Sequence, residues 1–187
     1  MLNKLKKICD ESNAVKTAAF SENADTIVRV VNAIIKALKA GHKVLFFGNG
    51  GSAADSQHLA AELIGRFQKE RVAFPSIALT TDTSIITALG NDYGFDVIFE
   101  RQMEALGNAG DVAVGLSTSG NSENVIRAIK KAKAKGLITV SMTGRDGGKL
   151  KSLTDMSIVV RDQNTARVQE SHICIGHAIC ELVESGI

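Results

Sequence analysis

His58 and Glu62 stand four residues apart, which on a helix puts an imidazole and a carboxylate on one face, a turn from each other. Such a pair can ligate a metal ion or move protons on a substrate; it can equally be a surface ion pair. Arg66 continues the same stripe, giving a polar ridge of His58, Glu62 and Arg66. A second group lies between Arg167 and Glu184: Gln169, Glu170, His172 and His177. His172 falls in a largely apolar stretch, where a hydrogen-bonded core histidine is the default. His177 shares that default, but Glu170, seven residues earlier, stacks on its helical face.

Two loops could hold an anion near these groups. Gly48-Asn49-Gly50-Gly51-Ser52 follows the apolar run Val44–Phe47 and precedes a helical segment. Glycine lets the backbone approach a ligand, and a helix N-terminus offers unpaired N–H groups and a positive dipole end. The spacing fits neither a Walker loop nor a dinucleotide fingerprint. Ser117-Thr118-Ser119-Gly120-Asn121-Ser122 follows Val112–Leu116 in the same way. A helix cap needs one hydroxyl or amide; the four hydroxyls here can donate several hydrogen bonds to one phosphate. The loop has no Lys or Arg, so the cradle is neutral and suited to a metabolite that must leave again.

The elements that position these loops are legible from periodicity. Val44–Phe47, Ile77–Leu79, Val112–Leu116, Ile138–Met142 and Ser157–Val160 are short, apolar and rich in β-branched residues, as strands buried on both faces should be. Helical patterns at Ala53–Arg66, Thr83–Leu89, Phe95–Leu106, Glu123–Lys135 and Arg167–Glu184 separate them. Alternation of this kind predicts a parallel sheet with right-handed crossovers, here a three-layer αβα sandwich on five strands. Leu2 to about Phe20 and Asn23–Lys39 predict two N-terminal helices, with Ser21 capping the second. Residues 1–187 thus form a single domain, with residues 1–40 available for oligomer packing.

Composition narrows the function classes. A net charge of +2 gives no global drive toward nucleic acid or anionic membrane. Lys130, Lys131, Lys133 and Lys135 concentrate on one segment, but no aromatic residue is interleaved to stack on bases. Met1–Asp10 is charged, unlike a secretory leader, and no apolar run reaches membrane-spanning length. Cys9, Cys174 and Cys180 lack zinc or redox spacing. Buried thiols in the cytoplasm are the expectation.

Taken together, GNGGSAADSQHLAAEL at Gly48–Leu63, ALTTDTSIITALGNDYGF at Ala78–Phe95, GLSTSGNSENVIRAI at Gly115–Ile129 and RVQESHICIGHAIC at Arg167–Cys180 resemble the phosphoheptose isomerase family of SIS (sugar isomerase) proteins. The resemblance spans nearly the whole chain. The two loops are shared by SIS proteins broadly, whereas the joint presence of His58, Glu62, Asn91-Asp92, Gln169 and His177 is more specific. It implies one zinc ion per subunit on His58, Glu62, Gln169 and His177. It also implies sugar-phosphate contacts from Asn49, Gly50, Gly51, Ser52, Glu62, Asn91, Asp92, Ser117, Thr118, Ser119, Ser122 and Gln169. A homotetramer with active sites at subunit boundaries is implied as well. The implied reaction interconverts sedoheptulose 7-phosphate and D-glycero-D-manno-heptose 7-phosphate through an enediol, at the entry to the heptose of lipopolysaccharide and related surface glycans. Such an isomerisation needs a base at carbon and an acid/base at oxygen, roles assigned to Glu62 and His177.

Two other functions fit parts of the pattern. Another SIS isomerase, acting for example on a hexulose 6-phosphate, would keep the serine loop without needing all four metal-type ligands. A non-catalytic relative that binds the replication initiator would have no use for Glu62 with His177. One geometric difficulty attends the zinc set. Gln169 and His177 are eight residues apart, about 12 Å along a regular helix and roughly 80° around it. Either that helix begins irregularly, or the two residues serve from different chains; the second is the expectation.

Overall fold

A computed structural model describes residues 1–187. Five strands form one parallel sheet: β1 (Val44–Gly48), β2 (Ser76–Ala78), β3 (Val112–Ser117), β4 (Ile138–Gly144) and β5 (Met156–Val160), in the order β2-β1-β3-β4-β5. Side chains alternate through the sheet and feed two cores. Phe46, Val114, Val140 and Ile158 join one; Leu45, Phe47 and Ala113 join the other. The first core is closed by α1 (Leu2–Lys39), α2 (Gly51–Ile64) and α7 (Thr165–Gly186), through Ile27, Val30, Ile34, Leu59, Ile175 and Ile179. The second is closed chiefly by α4 (Ile98–Leu106) and α5 (Glu123–Ala134), through Ile98, Phe99, Met103, Val125 and Ile129. The short helices α3 (Thr83–Asp92) and α6 (Leu150–Leu153) complete the order, with a 3-10 turn at Phe95–Val97 leading into α4. The three-layer sandwich expected from the strand–helix alternation is the observed architecture.

The N-terminal region departs from expectation. Instead of two helices there is one, continuous from Leu2 to Lys39. The segment contains no Gly or Pro to interrupt it, and Ser21, expected as a cap, is tolerated inside the helix. Two residues later Asn23 explains why the helix continues here. Its buried amide donates to Ala19 O and to Val159 O, and its Oδ1 accepts from Val159 N. Asn23 therefore gives edge strand β5 both halves of a ladder pair. Burial of α1 begins at Ala19 and continues through Asn23, Ile27, Val30, Val31, Ile34 and Ala37; Leu2, Leu5 and Ile8 are exposed.

The strand order places the topological switch between β1 and β3, where the chain leaves in opposite directions on the two sides. Gly48 pairs in register with Leu116. The glycine-rich and serine-rich loops therefore begin side by side, just past the carboxyl ends of adjacent strands.

Candidate active site

Asn49 and Asn124 tie the two loops together by reciprocal amide bonds, each 2.9 Å. In the serine loop, Ser117 Oγ lies 2.9 Å from Ser122 Oγ and 3.4 Å from Ser119 Oγ. Ser122 occupies the cap position of α5 yet makes no cap hydrogen bond. Gly50 likewise begins α2 without a side-chain cap. By contrast, α3 is capped by Asp82 and α7 by Asn164. Helix α5 thus presents the free N–H groups of its first turn, while in α2 Ser52 and Ala53 already donate to Asn49 O and Gly50 O. Both helices turn the positive end of their dipoles to the loops, which is anion-binding geometry. Gly120 has φ +65°, and a Cβ there would collide with the carbonyl of Gly147; only glycine closes the loop. A cleft of about 120 Å³ opens over Gly48, Asn49, Gly50, Ala53 and Thr80.

One and two turns beyond the glycine loop, α2 carries Asp55 and His58, with Glu62 a turn further. His58 Nε2 lies 3.0 Å from Glu62 Oε1 and 3.2 Å from His177 Nε2 on α7. The donor atoms of all three residues fall within 4.8 Å of one another. Ligands about 2.05 Å from a tetrahedral zinc are separated by about 3.3 Å; the two spacings at His58 match that value, and a small shift of Glu62 or His177 would let all three residues hold such an ion. Asp55, close to His58, has one carboxylate oxygen buried without a partner; burial raises its pKa and the His58 charge opposes the rise. Phe67 closes one side of the cluster, its ring 5.4 Å from that of His177 and inclined 30°.

The other expected site residues are distributed around this centre. Ser52 is buried in the first turn of α2, where its carbonyl accepts from Ser56 Oγ. Thr118 and Ser119 are half-buried. Gln169 lies against Gly51, so closely that a Cβ on Gly51 would overlap its amide. Because α7 runs unbroken from Thr165 to Gly186, the irregular start that could have brought Gln169 toward His177 is absent. Asn91 and Asp92 are exposed at the end of α3, where Asn91 Nδ2 donates to Asp92 Oδ1 at 2.8 Å. The chain's own hydrogen bonds do not join them to either loop.

Two parts of the expected polar pattern are corrected. Arg66 does not extend the ridge, because α2 stops at Ile64 and Arg66 turns to Glu70, 3.5 Å away. Glu170 does not accompany His177; it accepts from Ser12 Oγ of α1 and pairs with Arg167. His172 is the core histidine expected, fully buried, its Nε2–H donated to the Thr143 carbonyl at 3.0 Å. Burial lowers its pKa to about 4, against a smaller upward effect of that bond. Sequence reasoning missed Asn124 and Phe67. Asn124 had a signal, an amide in the first turn after a hydroxyl loop; Phe67 had none, because its approach to His177 depends on the path of the chain after Gly65.

Comparison with known proteins identifies the family. The SIS domain family matches residues 8–144. A phosphoheptose isomerase of Aquifex aeolicus is 60% identical over 184 residues, 98% of this chain and 96% of its own. One from Nitratidesulfovibrio vulgaris is 55% identical over 174 residues, 93% of this chain and 84% of its own. Among solved structures, the phosphoheptose isomerase of Neisseria gonorrhoeae superposes with a TM-score of 0.93 at 43% identity, covering 98% of both chains. That of Francisella tularensis gives 0.94 at 35%, with the same coverage. With its loops at the switch point, its histidine–carboxylate cluster and its relatives matched end to end, the chain belongs to the phosphoheptose isomerases, sugar-phosphate isomerases of the SIS domain family.

Proposed function

We propose that this protein interconverts sedoheptulose 7-phosphate and D-glycero-D-manno-heptose 7-phosphate. The convergence of His58, Glu62 and His177 within 4.8 Å beside an anion-binding loop carries the proposal. The phosphate is held by Ser117, Thr118, Ser119 and Ser122 with the N–H groups at the start of α5. Asn49, Gly50, Gly51 and Ser52 meet the sugar from the adjoining strand, and Gln169, resting on Gly51, is placed for a sugar hydroxyl. Asn91 and Asp92 complete the sugar contacts from the end of α3. Glu62 takes the proton from carbon, giving the enediol, and returns it to the neighbouring carbon. His177 moves the second proton between the two oxygens.

His58, Glu62 and His177 would hold a zinc ion, with Gln169 as the fourth ligand implied by the resemblance, reaching from a neighbouring chain. When bound, zinc supplies polarisation of the substrate carbonyl. The working enzyme is read as a cytoplasmic homotetramer with one zinc per subunit, supplying heptose for lipopolysaccharide or related glycans. No helix is long and apolar enough to cross a membrane, in keeping with this placement. The test is conversion of sedoheptulose 7-phosphate to the aldose, with metal content measured on the same sample. Absence of conversion by the zinc-loaded protein, or conversion of a hexulose 6-phosphate instead, would overturn the assignment.

A further inference from the structure

A buried ion pair outside the cluster ties its two supporting helices together. Glu184, two turns beyond His177 on α7, is buried, and its carboxylate accepts from the backbone N–H groups of Phe67, Gln68 and Lys69 at 2.8–3.0 Å. It also accepts from Arg71 Nε at 3.0 Å. Burial alone would raise the pKa of Glu184; those donors outweigh it and bring the group down to about 2, so the carboxylate is charged whenever the protein is folded at neutral pH. Arg71 spends the rest of its guanidinium on two C-terminal carbonyls of α2 and on the carbonyl of Val72. Nη2 donates to Glu62 O at 2.9 Å, and Nη1 to Leu63 O and Val72 O, both at 3.0 Å. Its Cζ lies over the Phe74 ring, 3.9 Å from the ring centre.

Each end of this pair acts on the cluster. Helix α2 ends at Ile64 without glycine in a left-handed cap, so its last carbonyls need outside donors. Arg71 supplies them, one at the backbone of Glu62 itself. Glu184 fixes the backbone of Phe67, whose ring lies on His177. We infer that Glu184 and Arg71 are positioning residues: they set the spacing of α2 and α7 where Glu62 and His177 meet, and Phe67 sets the His177 ring. Neither residue touches the reacting atoms. The inference rests on the isomerase function and the zinc fit proposed above.

Arg71→Lys separates positioning from bulk stability, because lysine keeps the charge opposite Glu184 but lacks the fork that reaches the α2 carbonyls. Outer partners of metal ligands typically contribute roughly 10–100-fold in affinity or activity. In folded Arg71→Lys, kcat and zinc affinity measured against a competing chelator should each fall by roughly that factor. KM should move much less, because the loops that hold the phosphate leave β1 and β3. Phe67→Leu should lower kcat with the ion pair intact. A purely structural ion pair would lower Tm and leave kcat and zinc affinity of the folded variants unchanged, and that result would overturn the inference. If Glu184→Gln fails to fold, Arg71→Lys and Phe67→Leu still decide. A wild type that binds zinc without isomerising would sink the functional assignment while chelator competition still tests the positioning role. A wild type that does neither would sink both.

Discussion

At the scale of single residues, catalysis is assigned to groups whose loss should change chemistry without changing shape. Glu62→Gln and His177→Gln each keep side-chain size while removing a proton acceptor or donor. Turnover should vanish in both, with circular dichroism and thermal melting near wild type; a variant with near-normal kcat would remove that residue from the mechanism. His172 belongs to stability instead. Its Nε2–H is donated to Thr143 and its Nδ1 is buried without a partner, so a proton added there would be an uncompensated buried charge. With a folded pKa of about 4 against an ordinary 6.5, the unfolded chain takes up a proton first as pH falls. Stability should therefore decline between pH 6.5 and 4, by about 3 kcal/mol if the whole shift is realised. Denaturant titrations of His172→Gln should show a shallower decline over that window; equal slopes would refute it. Residue types and spacing made His58 and Glu62 candidates, with a surface ion pair equally open, and read the core role of His172. They misplaced Arg66 and Glu170, because both sit where a helix stops or turns to another helix, and a helical stripe cannot reveal that.

At the scale of elements, the serine loop and α1 each carry a consequence. Ser122 leaves α5 uncapped and turns its hydroxyl to Ser117. Ser119→Ala and Ser122→Ala should therefore weaken sugar-phosphate binding more than they weaken the fold, by about 1.5–3 kcal/mol for one hydrogen bond to a charged group. Calorimetry with a phosphorylated sugar would measure it, and unchanged affinity in both variants would count against the cradle. Asn23 works the other way. Asn23→Ala strands the buried N–H and carbonyl of Val159, and should cost about 2–4 kcal/mol of unfolding free energy with folded-state kcat preserved. A loss below about 0.5 kcal/mol, the range of ordinary surface substitutions, would deny Asn23 that role. Strands and crossover helices were legible because buried parallel strands read as apolar runs and their helices as 3.6-residue stripes. The single long helix was not, because a mid-segment serine looks like a cap until the strand that Asn23 bonds is known.

At the scale of the whole molecule, one chain brings Glu62 and His177 together, whereas the expectation of different subunits concerned Gln169 and His177. Mixed oligomers of Glu62→Gln and His177→Gln subunits should then show no activity above either parent. Recovery of turnover in co-purified mixtures would mean that neighbouring chains exchange one of these residues. The pairing of α1 with α7 has a further consequence, for biosynthesis. Ser12 bonds Glu170 across 158 residues of sequence, and Lys39 bonds the Gly186 carbonyl across 147. At ribosomal speeds of about 5–20 residues per second, the apolar stripe of α1 waits roughly 8–30 s for its partner to be made. Through that interval Ile27, Val30, Val31 and Ile34 have no α7 to cover them. Nascent chains of this protein should therefore engage holding chaperones until Thr165–Gly186 clears the exit tunnel, and ribosome-bound intermediates stalled before it should be the aggregation-prone species.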